Sequence, residues 1–288
     1  MKHTATILVC AALLLAVPLL TAAPPVKDGF ITTSDGVRLH YLESGSGPTI
    51  DFVPGWNLLA EIREHQIRHF AKSYRVIALD PRSQGKSQQT TEGHYPERRA
   101  QDIKELVDQL NLAPAVLVGW SLGVAEVLTY VDQFGTDTLR AVVLVDGYLS
   151  IDPSPEFRAG MANFLQSIQV NRKQFAGQFV RSMYKTQQPE DYLERMTAAS
   201  LQTPTNTAVT LVANWQAARD WRLALDKLDR PILYAVTAEL KGQGEMLEKE
   251  FPLAQVELFE EAGHALFVDE PDRFNALLED FLNNVLAR

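Results

Sequence analysis

The stretch Gly119-Trp120-Ser121-Leu122-Gly123 constrains this chain more than any other. It follows a short apolar run, Ala115-Val116-Leu117-Val118, and residues 124–134 after it carry a helical pattern. A serine between a strand and a helix, with a glycine two positions to either side, demands a turn too tight for side chains at the flanks. Such a turn holds the serine backbone under strain and lifts its hydroxyl to the carboxyl end of a strand, where the N-terminus of the next helix points at it. A serine-containing turn with no chemistry is the plain alternative. The strand-to-helix context and a later histidine, His264, favour the reactive reading.

The alternation around this turn runs through most of the chain. Strands are expected at 30–33 and 37–42, joined by Ser34-Asp35-Gly36, and then at 49–53, 75–79, 115–118, 139–145, 231–236 and 255–259. Helical spacing of apolar residues falls at 58–71, 97–110, 124–134, 245–250 and 271–286, the last with proline in its first turn. Strands alternating with helices imply an α/β fold with a mainly parallel sheet covered on both faces. Between about 150 and 228 the strand pattern stops, and four helices are expected at 156–169, 172–184, 190–200 and 206–218. That block reads as a helical cap inserted between two strands of one sheet, within a domain at 24–288. A chain of 288 residues with 46% hydrophobic content supplies enough core for such a domain.

Residues 1–23 have the make-up of a signal peptide. Lys2 and His3 open the chain, 7–20 is almost wholly apolar, and Thr21-Ala22-Ala23 offers a cleavage site after Ala22 or Ala23. The apolar run is too short for a membrane span, so an exported protein, periplasmic or secreted and without a stable span after signal removal, is expected. The single cysteine, Cys10, lies within that segment. The remainder therefore has no thiol for a disulfide, a nucleophile or a metal site. A net charge of −9 argues against nucleic acid as partner.

Four motifs in order carry a resemblance: an apolar strand ending in Pro54-Gly55-Trp56, then Asp80-Pro81-Arg82-Ser83-Gln84-Gly85-Lys86-Ser87, then Gly119-Trp120-Ser121-Leu122-Gly123, then Ala262-Gly263-His264. In this order they resemble the α/β-hydrolase superfamily, and 53–135 is most similar to its cofactor-free haloperoxidase and esterase group with a helical cap. The resemblance implies Ser121 as nucleophile and His264 as its base, with no cofactor and no metal. It implies an oxyanion hole from the backbone N–H groups of Leu122 and Trp56. It also implies an aspartate soon after the strand at 231–236, and here the chain departs from the pattern. The segment there reads Thr237-Ala238-Glu239-Leu240-Lys241-Gly242, and no Asp occurs between Asp229 and Asp269. Two acids remain: Asp146, at the end of the preceding strand, is favoured, and Glu239 is the alternative. The segment 80–87 resembles a turn that braces the loops beside the site. Trp56 and Trp120 flank the proposed centre, and Phe164, Phe175, Trp215 and Trp221 lie in the cap block, where they line an apolar pocket or form the cap's own core.

The expected activity is hydrolysis of a small or medium carboxylic ester, a small-molecule substrate, through an acyl-enzyme. Lactone opening and perhydrolysis use the same centre. A non-catalytic binding protein on the hydrolase fold is the alternative from another class.

Overall fold

A computed structural model describes residues 24–151, 154–217 and 220–287. The expected signal segment and Cys10 lie outside the described residues.

Strand β1 (Lys27–Thr32) pairs antiparallel with β2 (Arg38–Gly45), and β2 pairs antiparallel with β4 (Arg75–Asp80). From there the sheet is parallel: β4, β3 (Thr49–Val53), β5 (Ala115–Trp120), β6 (Leu139–Val145), β7 (Ile232–Thr237) and β8 (Ala254–Phe259). The order across the sheet is β1-β2-β4-β3-β5-β6-β7-β8. Strands β3, β5 and β7 are buried at every position. That is why β5 and β7 read as near-continuous apolar runs with no alternation, while β3 carries one buried acid, Asp51, in its middle.

Successive residues of these strands feed opposite faces. Phe52, Val118 and Ala235 pack with helices α1 (Glu64–Phe70) and α11 (Pro271–Leu286) and the short α10 (Leu266–Asp269). Val53, Leu117 and Tyr234 pack with α2 (Pro96–Gln109), α3 (Leu122–Phe134) and α9 (Lys241–Glu250). Between β6 and β7 come α4 (Pro155–Val170), α5 (Arg172–Ser182), α6 (Glu190–Gln202), α7 (Thr205–Gln216) and α8 (Arg222–Leu225). Part of this block builds a smaller apolar cluster from Ile168, Ala208, Leu211 and Val212, and Trp56 and Leu122 of the body join it. Among the described residues no helix is long and apolar enough to cross a membrane.

Two departures from the periodicity have local causes. The helix expected from 58 begins as a 3-10 turn at Ala60–Arg63 before α1. Side chains from the 80–87 turn hold the preceding backbone open. Asp80 Oδ1 accepts the Ala60 N–H at 2.6 Å, and Gln84 Nε2 donates to the carbonyls of Gly55 (3.1 Å) and Leu58 (2.6 Å). Helix α9 starts at Lys241, four residues earlier than the apolar spacing indicates, and follows a 3-10 turn at Ala238–Leu240. Strand β7 thus runs almost directly into helix.

Candidate active site

Ser121 joins β5 to α3 with φ 56° and ψ −120°, outside the regions open to most L-residues. Its neighbours make this possible. A Cβ on Gly119 would lie 2.4 Å from the Gly123 carbonyl oxygen, and one on Gly123 would lie 2.6 Å from that of Val53. Only glycines let the first turn of α3 press this closely onto β3 and β5. A strained residue of this kind costs about 1–3 kcal/mol and persists only where packing over-determines it. Here buried strands and a buried helix hold both sides.

The loop after β3 lies directly over the serine. A Cβ on Gly55 would fall 2.9 Å from Ser121 Cβ and 3.4 Å from its Oγ. Trp56 follows, with its side chain turned into the cap: Nε1 donates to the Ala208 carbonyl at 2.9 Å, and the ring lies 5.1–6.1 Å from Phe164, Phe175 and Phe179. Leu122 is the first residue of α3. Its N–H is therefore among those a helix leaves without an internal partner.

His264 sits in the loop after β8, and its Nδ1 is 2.7 Å from Asp146 Oδ2. Asp146 follows β6 directly, with φ 41°, and its side chain is 5% exposed against 33% for His264. The other carboxylate oxygen accepts from the Thr237 N–H (2.8 Å) and hydroxyl (2.9 Å) at the end of β7. With Oδ1 occupied in this way, Oδ2 is left to face the ring. The structure thus separates the two acids. Glu239 does not serve the histidine: it lies in the 3-10 turn after β7 and accepts the Tyr148 hydroxyl at 3.0 Å. The early helix leaves no loop after β7 on which an acid could reach back to the imidazole. The strand before supplies it instead.

Beneath the histidine, Trp120 donates Nε1 to the His264 carbonyl at 2.9 Å, and its ring centroid is 5.2 Å from the imidazole. The loop is also tied to the helical block. Asp269 Oδ2 accepts the N–H groups of Gly263 (2.7 Å) and Lys185 (2.8 Å), and the Ala265 N–H donates to the Met183 carbonyl at 2.9 Å. No local pattern marks Thr237 or Asp269. Both act on partners more than five residues away, so only the fold brings them into range.

A cavity of about 420 Å³ collects these parts. Ser121, Leu122, Asp146 and His264 line it together with Trp56, and Glu239 lies in the same wall. Phe164 and Trp215 line it from the cap; Trp120, Phe175 and Trp221 are not among its lining residues. Trp120 instead packs with Phe267 below the histidine, and Trp221 stacks on Trp215 at 6.0 Å from the side of the body core. Among the described residues no group of three or more His, Cys, Asp or Glu is placed to hold a metal ion.

The profile of the Alpha/beta hydrolase family matches residues 52–277, a span holding the serine, the histidine and the cap block between them. The chain belongs to the alpha/beta hydrolase family. It is 37% identical over 120 residues to a bifunctional esterase/perhydrolase of Acinetobacter calcoaceticus, covering 41% of this chain and 44% of that protein. It is 33% identical over 156 residues to a non-heme haloperoxidase of Rhodococcus erythropolis, covering 51% and 56%. The chain thus spans about half the length of these curated relatives. Among solved structures, a bromoperoxidase from Bacillus anthracis superposes with a TM-score of 0.82 at 23% identity, covering 89% of this chain and all of that one. This last likeness is one of fold.

Proposed function

We propose that this hydrolase is a serine esterase acting on small or medium carboxylic esters through an acyl-enzyme. The observation that carries this reading is a strained serine at the head of a helix, sharing one cavity with a histidine whose other ring nitrogen is bound to a buried carboxylate. Asp146 accepts from His264 Nδ1–H and so leaves Nε2 free to take a proton. His264 removes the Ser121 proton as Oγ attacks the ester carbonyl. The oxyanion forms against the N–H groups of Leu122 and Trp56. Loss of one such donor costs about 2.7–4 kcal/mol in this kind of chemistry. The imidazolium then protonates the departing alcohol, and water admitted to the same base hydrolyses the acyl-enzyme. Perhydrolysis, with peroxide in place of water at the second step, is the second reading, supported by the activity printed for the Acinetobacter relative.

A fluorophosphonate probe tests the reading directly. It should label the wild type at Ser121 and leave Ser121→Ala unlabelled, with hydrolysis of p-nitrophenyl esters lost in parallel. An unlabelled wild-type protein would make this a binding protein on the hydrolase fold. Adding peroxide to the same assay and measuring peracid separates the two readings. We further propose that residues 1–23 are an export signal; N-terminal sequencing of the exported protein should begin at Ala23 or Pro24.

A further inference from the structure

Glu239 is left with no part in the proposed triad, yet it lines the same cavity as Ser121. Glu239 is itself exposed to solvent, so its carboxylate lies where the cavity opens. Tyr148, Phe157 and Trp215 line the same cavity as three rings inclined to one another. Their centroids are 5.9 Å (Tyr148–Phe157), 5.7 Å (Tyr148–Trp215) and 6.4 Å (Phe157–Trp215) apart, at angles of 68°, 63° and 52°. The Tyr148 hydroxyl donates to Glu239 Oε1 at 3.0 Å and so fixes the carboxylate to the edge of this aromatic corner.

The charges around the cavity are one-sided. No lysine or arginine is among the described residues that line it. The Asp146 charge is already held by His264 and by both donors of Thr237. The nearest lysine in sequence, Lys241, faces Glu245 at 3.8 Å on its own helix. Among the described residues Glu239 is therefore the one acid in this wall not taken up by the histidine. A carboxylate that shares a cavity with several aromatic rings suits one class of ligand group well. Ring faces attract an ammonium through their quadrupoles, and the carboxylate supplies the opposite full charge. The same wall repels a carboxylate and gives a neutral branched alkyl group only apolar contact.

We propose that Glu239 with Tyr148, Phe157 and Trp215 forms a cation-selective subsite, so that the enzyme prefers esters bearing a substituted ammonium group over neutral isosteres and rejects esters bearing a free carboxylate. This rests on the esterase reading. Two matched pairs test it, one with the charge on the alcohol side (acetylcholine against 3,3-dimethylbutyl acetate) and one with it on the acyl side (the p-nitrophenyl esters of 4-trimethylammoniobutyrate and 5,5-dimethylhexanoate). Wild-type kcat/KM should favour the cation at least tenfold in one pair, with a succinate monoester slower than either. In Glu239→Gln, which keeps the shape and an acceptor for Tyr148, that ratio should fall below threefold. Equal rates within both pairs, or a preference that survives the substitution, overturn the proposal. Calorimetric titration with tetraethylammonium separates this failure from failure of the esterase reading. It should bind the wild type at least tenfold more tightly than Glu239→Gln even if no ester is cleaved, and equal binding counts against the subsite.

Discussion

At the scale of single residues, the site depends on a carboxylate held by donors from a neighbouring strand. Asp146 has two oxygens and three partners, and two of those partners belong to Thr237. A hydrogen bond to a charged group is worth about 1.5–3 kcal/mol. Thr237→Val keeps the backbone donor but removes the hydroxyl, so kcat for a neutral ester should fall about ten- to hundredfold while KM stays within a factor of three. Thr237→Ser should recover most of the rate. A KM effect without a kcat effect would mean that Thr237 shapes the cavity and does not position the acid. Glu239 makes the opposite point. Its place in sequence matches the family pattern better than that of Asp146, but the direction of a side chain depends on the turn that carries it.

At the scale of elements, three close backbone approaches position the parts of the candidate site: α3 onto β3, the loop after β3 onto Ser121, and the loop after β8 onto the Met183 carbonyl. The second is the most exposed to test. A methyl at Gly55 meets Ser121 Cβ at 2.9 Å. Relief requires the Pro54-Gly55-Trp56 loop to lift, which would withdraw the Trp56 N–H from its proposed place at the oxyanion. Gly55→Ala should therefore lower kcat by about 10²–10³. Its far-ultraviolet circular dichroism should be unchanged, because the loop lies outside the strands. A variant of normal activity would show that the Trp56 amide is not a donor. The 80–87 turn carries the same loop from below. Gln84 holds two of its carbonyls, and Arg99 in turn donates to Gln84 at 3.2 Å and to Glu126 at 2.6 Å. The 80–87 turn thus reaches the loop over Ser121 through a buried side chain.

At the scale of the whole molecule, one buried acid should leave a mark on stability. Asp51, in the middle of β3, is fully buried, and neither carboxylate oxygen has a hydrogen-bond partner among the described residues. Burial pushes its carboxyl up to about 7 from an ordinary 3.8. In the window between these values the folded state holds a proton that the unfolded chain has lost. Its contribution is fully present below about 3.8, declines as pH rises towards about 7, and falls no further above that. Between pH 5 and pH 8 the wild type should lose about 2.5 kcal/mol relative to Asp51→Asn, which cannot ionise. Urea denaturation of both proteins at the two pH values measures this. A constant difference between them would mean that the carboxyl titrates normally.

The amino-acid sequence alone determined the alternation of strands and helices, the helical block between β6 and β7, and the serine turn, because each is written in contiguous residues. Continuous apolar runs mark strands buried on both faces, and glycines two positions either side of a serine mark a turn that nothing larger can enter. The place of the histidine was legible too, since the loop after the last parallel strand leaves the same carboxyl end of the sheet as the serine turn. The tertiary structure decided which acid faces His264, that Thr237 holds it, and that Trp120 supports the histidine loop from below and does not line the cavity. These pairings join residues as much as 144 positions apart. Their geometry follows from strand order and from where a helix happens to begin, and neither is encoded near the residues concerned.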